Sequence, residues 1–244
     1  MIAFVLSRRD FRETDQIITL YTLEKGKIEA LAKGIKKIIS KNSAFLEPFF
    51  LVEAEIIAGK ELNRLASVQP VESFKKIRAD LAKSLSAGMV VNFISRLLYD
   101  NEREIKIFNL LHGWLNYLEN LDKSSAVLSF SFMVKLLAML GFVPELNRCV
   151  VCNKKFLNSA LNSKVFFNPA AGGIVCSVCL AKRKKMEEHY LVLSGGDIKV
   201  WQELLNNDWN KIPSAVSDKL SQTIYEFAEY HSERKIDRGI NCIL

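Results

Sequence analysis

The chain has 244 residues, 49% of them hydrophobic and 25% charged, and its formal net charge is +7. These proportions are close to the globular average and exclude wholesale disorder, fibrous repeats and low-complexity sequence. Five cysteines in a chain of this length are too few for a small disulfide scaffold. At roughly 100–200 residues per domain, the length suits one large domain or two small ones.

The positive charge is concentrated in two segments. Residues 1–78 carry a net charge of +4 and residues 148–189 carry +6, whereas residues 79–147 and 190–244 are slightly negative. Because such asymmetry indicates a polyanionic partner better than the total charge does, both basic segments are candidate binding surfaces.

The N-terminal part of the chain has the pattern of short strands. Alternating apolar and polar positions, β-branched residues and glycine punctuation predict strands at Ile2–Leu6, Ile17–Leu23, Lys27–Ala32, Phe49–Ala58 and Leu62–Val71. Five short strands in a segment of this size are typical of the OB-fold, a small five-stranded barrel.

Near Phe74 the apolar spacing changes from two residues to about 3.6, which is the clearest domain boundary in the sequence. Amphipathic spacing, potential capping serines and the stop signals Gly141 and Pro144 define the segments that follow. Helices are predicted at Leu81–Leu98, Ile107–Leu118, Ser124–Leu140, Ser194–Leu205 and Ser214–Tyr230.

The stretch most like a membrane span runs from Ala126 to Val143. Lys135 lies in its middle, which favours the buried central helix of a soluble bundle over a bilayer span. The apolar N-terminus ends at once at Arg8 and Arg9, unlike a secretory signal. We therefore expect a cytoplasmic protein.

Four of the five cysteines form two C-x2-C pairs separated by 23 residues: Cys149, Cys152, Cys176 and Cys179. Two such knuckles brought together give the four-thiolate coordination that suits one structural Zn²⁺. Disulfides are unusual in reduced cytoplasm, and a thioredoxin-like redox motif would account for only one pair. Cys242 is most simply a free thiol.

Active-site motifs are missing from the sequence. His112, His189 and His231 are isolated, and there is no P-loop, G-x-S-x-G or G-x-G-x-x-G. Asp10, Glu13 and Asp15 form an acidic cluster among arginines, which we interpret as a solvated loop of mutual ion pairs. No catalytic residue is predicted, and an enzyme with an unrecognised site stays an alternative.

A basic cluster follows the third predicted strand and consists of Lys33, Lys36, Lys37 and Lys41. Together with Arg8 and Arg9, it could line one side of the barrel and neutralise phosphates. OB-folds commonly bind single strands on such a face and its loops. Candidate stacking residues, most of which could equally be core, are Phe4, Phe11, Tyr21, Phe45, Phe49 and Phe50. A second basic cluster spans Lys182–Lys185.

One set of motifs is spread in order over nearly the whole chain. The set comprises Leu6–Thr22, Gly26-Lys27, Ala32-Lys33-Gly34, Leu46–Phe49, and Gly141–Leu146 shortly before Cys149. The Ala-Lys-Gly motif with its basic residues, and the junction from G-F-x-P-E-L to C-x2-C, are specific in combination. The chain thereby resembles the RecO family of bacterial recombination mediators.

The resemblance implies binding to single- and double-stranded DNA and annealing of complementary strands. It implies action with RecR on DNA coated by single-stranded DNA-binding protein, so that RecA is loaded during gap repair at the nucleoid, without catalysis and without a membrane. The implied DNA contacts are Arg8, Arg9, Lys33, Lys36, Lys37 and Lys41, and the implied zinc ligands are Cys149, Cys152, Cys176 and Cys179. Some family members lack these cysteines, so zinc is not obligatory to the function.

The sequence thus predicts an α+β multidomain protein. We expect an OB-fold at residues 1–76, a helical domain at 77–147 and 190–244, and an inserted zinc module at 148–189. The alternative function is that of a zinc-ribbon protein that binds RNA or associates with transcription.

Overall fold

The computed structural model describes residues 1–37, 43–122, 126–156, 164–182 and 189–236. The strands are β1 (Ile2–Asp10), β2 (Gln16–Thr22), β3 (Gly26–Ala32), β4 (Leu51–Ile57), β5 (Asn63–Glu72), β6 (Lys164–Asn168), β7 (Gly173–Val175) and β8 (Leu191–Ser194). The α-helices are α1 (Lys75–Ala79), α2 (Leu81–Leu97), α3 (Ile105–Asn120), α4 (Ala126–Met139), α5 (Ser177–Lys182), α6 (Gly195–Asn206) and α7 (Asp218–Ser232).

The first five strands close into a barrel in the order β1-β2-β3-β5-β4. Neighbouring strands are antiparallel except β3 and β5, which pair in parallel at Ala30 with Asn63 and Leu31 with Arg64. The barrel predicted from the sequence is confirmed. Two boundaries were wrong by more than one residue. Strand β1 continues past Leu6 to Asp10, and Phe49, with a φ of 74°, lies in a turn, so β4 begins at Leu51.

The start of β1 is buried on both faces, which explains its continuous apolar run. Val5 packs into the barrel core, whereas Phe4 lies against Phe108 of α3 with ring centroids 4.9 Å apart. Tyr21 of β2 also contacts Phe108, at 6.3 Å. Helix α3 therefore covers one outer side of the barrel, and the side chains of these strands cannot alternate between core and water.

Two buried lysines close the C-terminal ends of helices. Lys27 Nζ donates to the carbonyl oxygens of Ser95, at 2.9 Å, and Leu98, at 2.6 Å, at the end of α2. Lys83 Nζ donates to the Glu119 carbonyl oxygen, at 3.3 Å, at the end of α3. The last carbonyls of a helix have no partner in the helix and carry partial negative charge, so a cation there is stabilising.

Helix α4 is buried nearly all round, as its apolar sequence predicted. Its polar residues have partners: Ser131 Oγ donates to the Leu204 carbonyl oxygen at 3.1 Å, and Lys135 Nζ to the Leu205 carbonyl oxygen at 2.9 Å. Both bonds close the end of α6. Among the described residues, no helix combines the length and apolarity that crossing a membrane requires.

The chain divides into two compact units, which among the described residues comprise 1–122 and 126–236. Helices α1–α3 belong to the barrel unit. Helices α4–α7 belong to the second unit with a three-stranded sheet of order β7-β6-β8, which the sequence reading missed because its strands are short. The three-part domain division at residues 76, 147 and 189 stays a prediction.

The sheet of the second unit forms part of its core. Phe167 of β6 is fully buried against Trp201 of α6 and Phe227 of α7, with ring centroids 5.1 and 5.8 Å apart. Helix α7 begins at Asp218 because Ser217 caps it, its Oγ accepting from the Leu220 N–H at 3.1 Å. The start predicted at Ser214 was therefore early.

Candidate nucleic-acid interface and metal centre

The four paired cysteines converge on one point. Their Sγ atoms all lie within 4.8 Å of one another, and those of Cys152 and Cys176 are 3.7 Å apart. Tetrahedral coordination with metal–sulfur bonds of about 2.3 Å places the sulfurs about 3.8 Å apart. None of the four is in a disulfide, so their geometry fits a bound metal ion. Cys242 lies outside the described residues.

The first knuckle is a turn fixed by backbone hydrogen bonds. The Cys149 N–H donates to the Lys154 carbonyl oxygen, and the Asn153 N–H to the Cys149 carbonyl oxygen, both at 2.9 Å. Asn153 has a φ of 60°, a conformation that asparagine tolerates better than most residues. The Val150 N–H donates to the Ile174 carbonyl oxygen of β7 at 2.9 Å, which ties this knuckle to the strand leading to the second one.

The second knuckle lies where β7 passes into α5. Cys176 follows the strand directly, and Cys179 lies in the first turn of the helix. The Cys176 N–H donates to Cys149 Sγ and the Cys179 N–H to Cys176 Sγ, both at 3.4 Å. At Gly173, a Cβ would lie 2.6 Å from the Glu145 carbonyl oxygen, so only glycine permits this approach.

The thiols of the cluster have opposed acidities. Burial alone would raise the pKa of Cys149, but the backbone N–H groups of Cys176, Cys152 and Val151 lower it to about 6. Hydrogen bonds with Cys176 and Cys152 raise the pKa of Cys179 to about 12. The Cys149 thiol thus loses its proton readily, whereas the Cys179 thiol keeps its proton. Because thiolates at this distance repel one another, a cation is the natural way to stabilise four of them.

A basic loop, which we define as Lys33–Lys37, follows β3 at one end of the barrel. Ile35 is buried in the barrel core. The Gly34 N–H donates to Asp15 Oδ1 at 2.8 Å, and the Lys36 N–H to the Thr14 carbonyl oxygen at 3.1 Å. These contacts fix the loop against the β1–β2 turn.

The acidic cluster of that turn has a different role from the one expected. Asp15 is only 8% exposed, and the Gly34 N–H holds its pKa below the usual range despite its burial. Asp10 is exposed, and its hydrogen bond from Lys36 lowers its pKa. The interpretation as a solvated loop was therefore wrong for Asp15, which supports the fold of the basic loop.

The predicted DNA contacts that the structure describes are all exposed, and several are ion-paired. The pairs are Arg8–Glu47 at 2.6 Å, Arg9–Glu29 at 2.9 Å and Lys36–Asp10 at 2.7 Å. Exposed pairs of this kind contribute little to stability, so a phosphate can replace the carboxylate at small cost. Within the described ranges, Lys33 and Lys37 have no ion-pair partner; Lys41 lies outside them.

The structure separates the candidate stacking aromatics. Phe4, Tyr21, Phe49 and Phe50 are buried, and Phe45 packs partly against the barrel core. Phe11, in the β1–β2 turn, is 45% exposed.

The neighbour of this exposed ring is Arg12, which the sequence reading did not single out as a DNA contact. The Arg12 guanidinium lies 5.1 Å from the centroid of the Phe11 ring. Because the same turn contacts the basic loop through Thr14 and Asp15, the aromatic ring and the cations occur at one end of the barrel. The sequence signal was an aromatic–arginine pair inside a turn, where burial is rare.

Two family models match the chain, one over the barrel and the other over most of the remaining residues. The family model described as "Recombination protein O N terminal" matches residues 1–74, and "Recombination protein O C terminal" matches residues 78–238.

Relatives match over most of the chain. A protein named "DNA repair protein RecO" from Symbiobacterium thermophilum is 33% identical over 204 residues, covering 84% of this chain and 78% of the relative. One of the same name from Geobacter sulfurreducens is 35% identical over 179 residues, covering 72% and 71%. One from Desulfitobacterium hafniense is 28% identical over 239 residues, covering 98% and 85%. The chain therefore belongs to the RecO family of DNA repair proteins.

Proposed function

We propose that the protein binds single- and double-stranded DNA through the tip of its barrel and anneals complementary strands. By the barrel tip we mean the basic loop, Lys33–Lys37, together with the β1–β2 turn. In this role it acts with RecR on DNA coated by single-stranded DNA-binding protein, so that RecA is loaded during gap repair in the cytoplasm, at the nucleoid. The observation that carries the proposal is the basic loop, fixed against a turn that presents Phe11 and Arg12, in a chain of the RecO family.

The barrel tip has the two features that bind single strands without reading their sequence. Lys33, Lys36 and Lys37 can neutralise successive phosphates, which releases counterions and makes binding salt-dependent. Phe11 offers an exposed ring on which a base can stack. Because the loop is already ordered by Asp15 and Ile35, little conformational entropy is lost when DNA binds.

Annealing requires two polyanions to approach, and cationic side chains lower the repulsion between them. The reaction needs no bond cleavage, so the proposed function requires no catalytic residue. We assign one structural Zn²⁺ to Cys149, Cys152, Cys176 and Cys179, because four thiolates at this spacing suit that ion. Four protein ligands leave no open coordination position for catalysis.

An annealing assay tests the proposal directly. Complementary fluorescent and quencher-labelled oligonucleotides are mixed with the protein, with and without single-stranded DNA-binding protein, at several salt concentrations. We expect faster annealing than without protein and a loss of activity as salt rises. The same assay with RNA oligonucleotides distinguishes a DNA-annealing protein from one that binds RNA. Absence of both annealing and salt-sensitive DNA binding would contradict the proposal.

A charge variant locates the binding site. Lys33→Gln/Lys36→Gln/Lys37→Gln removes three phosphate contacts, so the slope of log affinity against log salt should become shallower by about 2 for single strands. Lys25→Gln/Lys75→Gln/Lys76→Gln makes the same change of charge elsewhere on the unit and is the matched control. Equal slopes for the two variants would move the DNA site away from the basic loop.

A further inference from the structure

The structure points to a second DNA-binding surface on the cysteine module, by which we mean residues 148–156 and 164–182. We infer that this surface holds the second strand while the barrel tip holds the first. The inference rests on the proposed annealing function, because only a protein that handles two strands needs two such surfaces.

The module is purely cationic in its described residues. Neither segment contains an aspartate or a glutamate. Its cations are all exposed to solvent, and they are Arg148, Lys154, Lys155, Lys164 and Lys182. A solvated protein surface normally mixes both signs, so a one-sign surface indicates a polyanionic partner.

Two of these cations face each other across the first knuckle. Arg148 and Lys155 form an antiparallel β-bridge, which places their side chains on the same side of the backbone. Like charges directly opposite each other are destabilising unless an anion lies between them. Arg148 Nε forms an ion pair with Glu145 Oε2, outside the module, at 3.7 Å. Among the described residues, Lys155 has no ion-pair partner.

The metal centre does not account for these charges. Four thiolates around one divalent ion carry two net negative charges, and the five cations exceed them by three. Lys164 lies on β6, and its side chain starts from a strand rather than from either knuckle. A module that only held a metal would need fewer cations.

The tips of both knuckles are apolar and exposed. Val151, between the first two cysteines, is 47% exposed, and Val178, between the second two, is 58% exposed. An apolar patch among cations matches a single strand, which presents sugar and base faces between its phosphates. Phosphate binding alone would not require these exposed apolar side chains.

The two basic surfaces belong to different compact units, since the barrel tip lies within residues 1–122 and the module within 126–236. The two surfaces share no residue, so a strand bound to one uses none of the cations of the other. A chain with two such surfaces can hold two strands before they pair.

A strand-capture assay tests the inference without base pairing. Biotinylated oligo-dT on beads is loaded with the full-length protein, and fluorescent oligo-dT is added as the second strand. The wild-type protein should retain the fluorescent strand at low salt. Two variants, Arg148→Gln/Lys155→Gln and Lys164→Gln/Lys182→Gln, should each bind the first strand like the wild type. Each should lower the affinity for the second strand by about tenfold at 0.1 M salt.

Controls separate charge from metal binding and folding. Lys211→Gln/Lys219→Gln makes the same change elsewhere on the second unit and should capture the second strand normally. Arg148→Lys/Lys155→Arg keeps the charges and should also capture it. Metal content is measured for each protein, and if one glutamine variant loses the metal, the other decides the result.

The outcomes are distinct for the two proposals. If the wild-type protein binds no DNA, the proposed function fails. If it binds and captures both strands, and a metal-retaining glutamine variant captures the second strand equally well, the second surface is excluded while the proposed function stands. Reduced capture with retained first-strand binding supports the inference.

Discussion

The Asp15 carboxylate accepts a hydrogen bond from the Gly34 N–H at 2.8 Å, which joins the β1–β2 turn to the basic loop. Gly34 has a φ of 64°, where glycine is favoured, so the loop turns sharply at this point. An acidic residue beside a DNA-binding loop would ordinarily weaken binding. Here the carboxylate is buried, and its hydrogen bond to the Gly34 N–H holds the loop in place.

Asp15→Ala distinguishes these two effects. If only charge mattered, removing a carboxylate would strengthen DNA binding. We expect the opposite, because the loop loses its anchor and the half-buried Gly34 N–H loses its partner, which also lowers the free energy of unfolding. Fluorescence anisotropy with labelled single strands and urea denaturation measure the two quantities.

The matched control for that variant is Glu13→Ala, which removes an exposed carboxylate from the same turn. It should bind DNA as well as the wild type or slightly better. If Asp15→Ala behaved like Glu13→Ala in both measurements, the anchoring role of Asp15 would be wrong.

Phe11→Ala should weaken single-strand binding while the fold stays intact. The ring is exposed, so its loss leaves no core cavity, whereas base–aromatic stacking contributes about 1–3 kcal/mol per base. Because no phosphate contact is removed, the salt slope should not change. Phe11→Trp should restore the affinity. Undiminished affinity of Phe11→Ala over the whole salt range would show that no base stacks there.

The elements that depend on local sequence were the ones that the sequence predicted. Alternation along β2 and β3 and the C-x2-C spacing at Cys149 and Cys176 are short-range signals, and both the barrel and the cysteine cluster were confirmed. That Phe4 is buried and Phe11 is exposed was not predictable in this way. Phe4 is buried because Phe108 and His112, far along the chain, pack against it.

The role of Asp15 also required the fold. Its partner, Gly34, is separated from it by β2 and β3, and only the pairing of those strands brings the two residues together. The ion pairs of Arg8 and Arg9 are similar cases, because Glu47 and Glu29 are distant in sequence. Long-range pairing therefore decides which of the predicted cations are already neutralised.

Because of Tyr21, the free energy of unfolding should depend on pH in the alkaline range. Burial, with the nearby carboxylate of Glu104, raises the pKa of the phenol to about 12, and the hydroxyl donates to the Glu104 carbonyl oxygen at 3.1 Å. Between about pH 10 and 12, the folded state keeps a proton that the unfolded state releases. The contribution of the protonated Tyr21 phenol to the free energy of unfolding is fully present below pH 10. It is lost as the pH rises through the pKa of the folded state.

Tyr21→Phe removes this contribution. The difference in unfolding free energy between the wild-type protein and Tyr21→Phe should shrink by about 1.4 kcal/mol between pH 9 and pH 11. Urea titrations at each pH give the values, and Tyr230→Phe, which removes an exposed hydroxyl, is the control. A pH-independent difference for Tyr21→Phe would contradict the raised pKa.

Removal of the metal should affect the two units differently. Chelation or Cys152→Ser leaves thiolates without a counterion and frees the two knuckles, so we expect unfolding of the cysteine module. The barrel has its own core, in which Val5, Leu20 and Val52 are fully buried, and it should stay folded. Metal analysis should give about one zinc per chain before chelation and none after it.

Hydrogen exchange followed by proteolysis and mass spectrometry measures both units in one sample. Protection should be lost in residues 149–156 and 164–179 and retained in β1–β3. Single-strand binding through the barrel tip should persist after chelation, whereas capture of a second strand should disappear, because the cations around Arg148 and Lys155 are positioned by the knuckle. Cys242→Ser, which changes a cysteine that belongs to neither C-x2-C pair, is the control and should change neither protection nor metal content. Full protection of the module after complete metal removal would show that the fold, and not the ion, holds the two knuckles together.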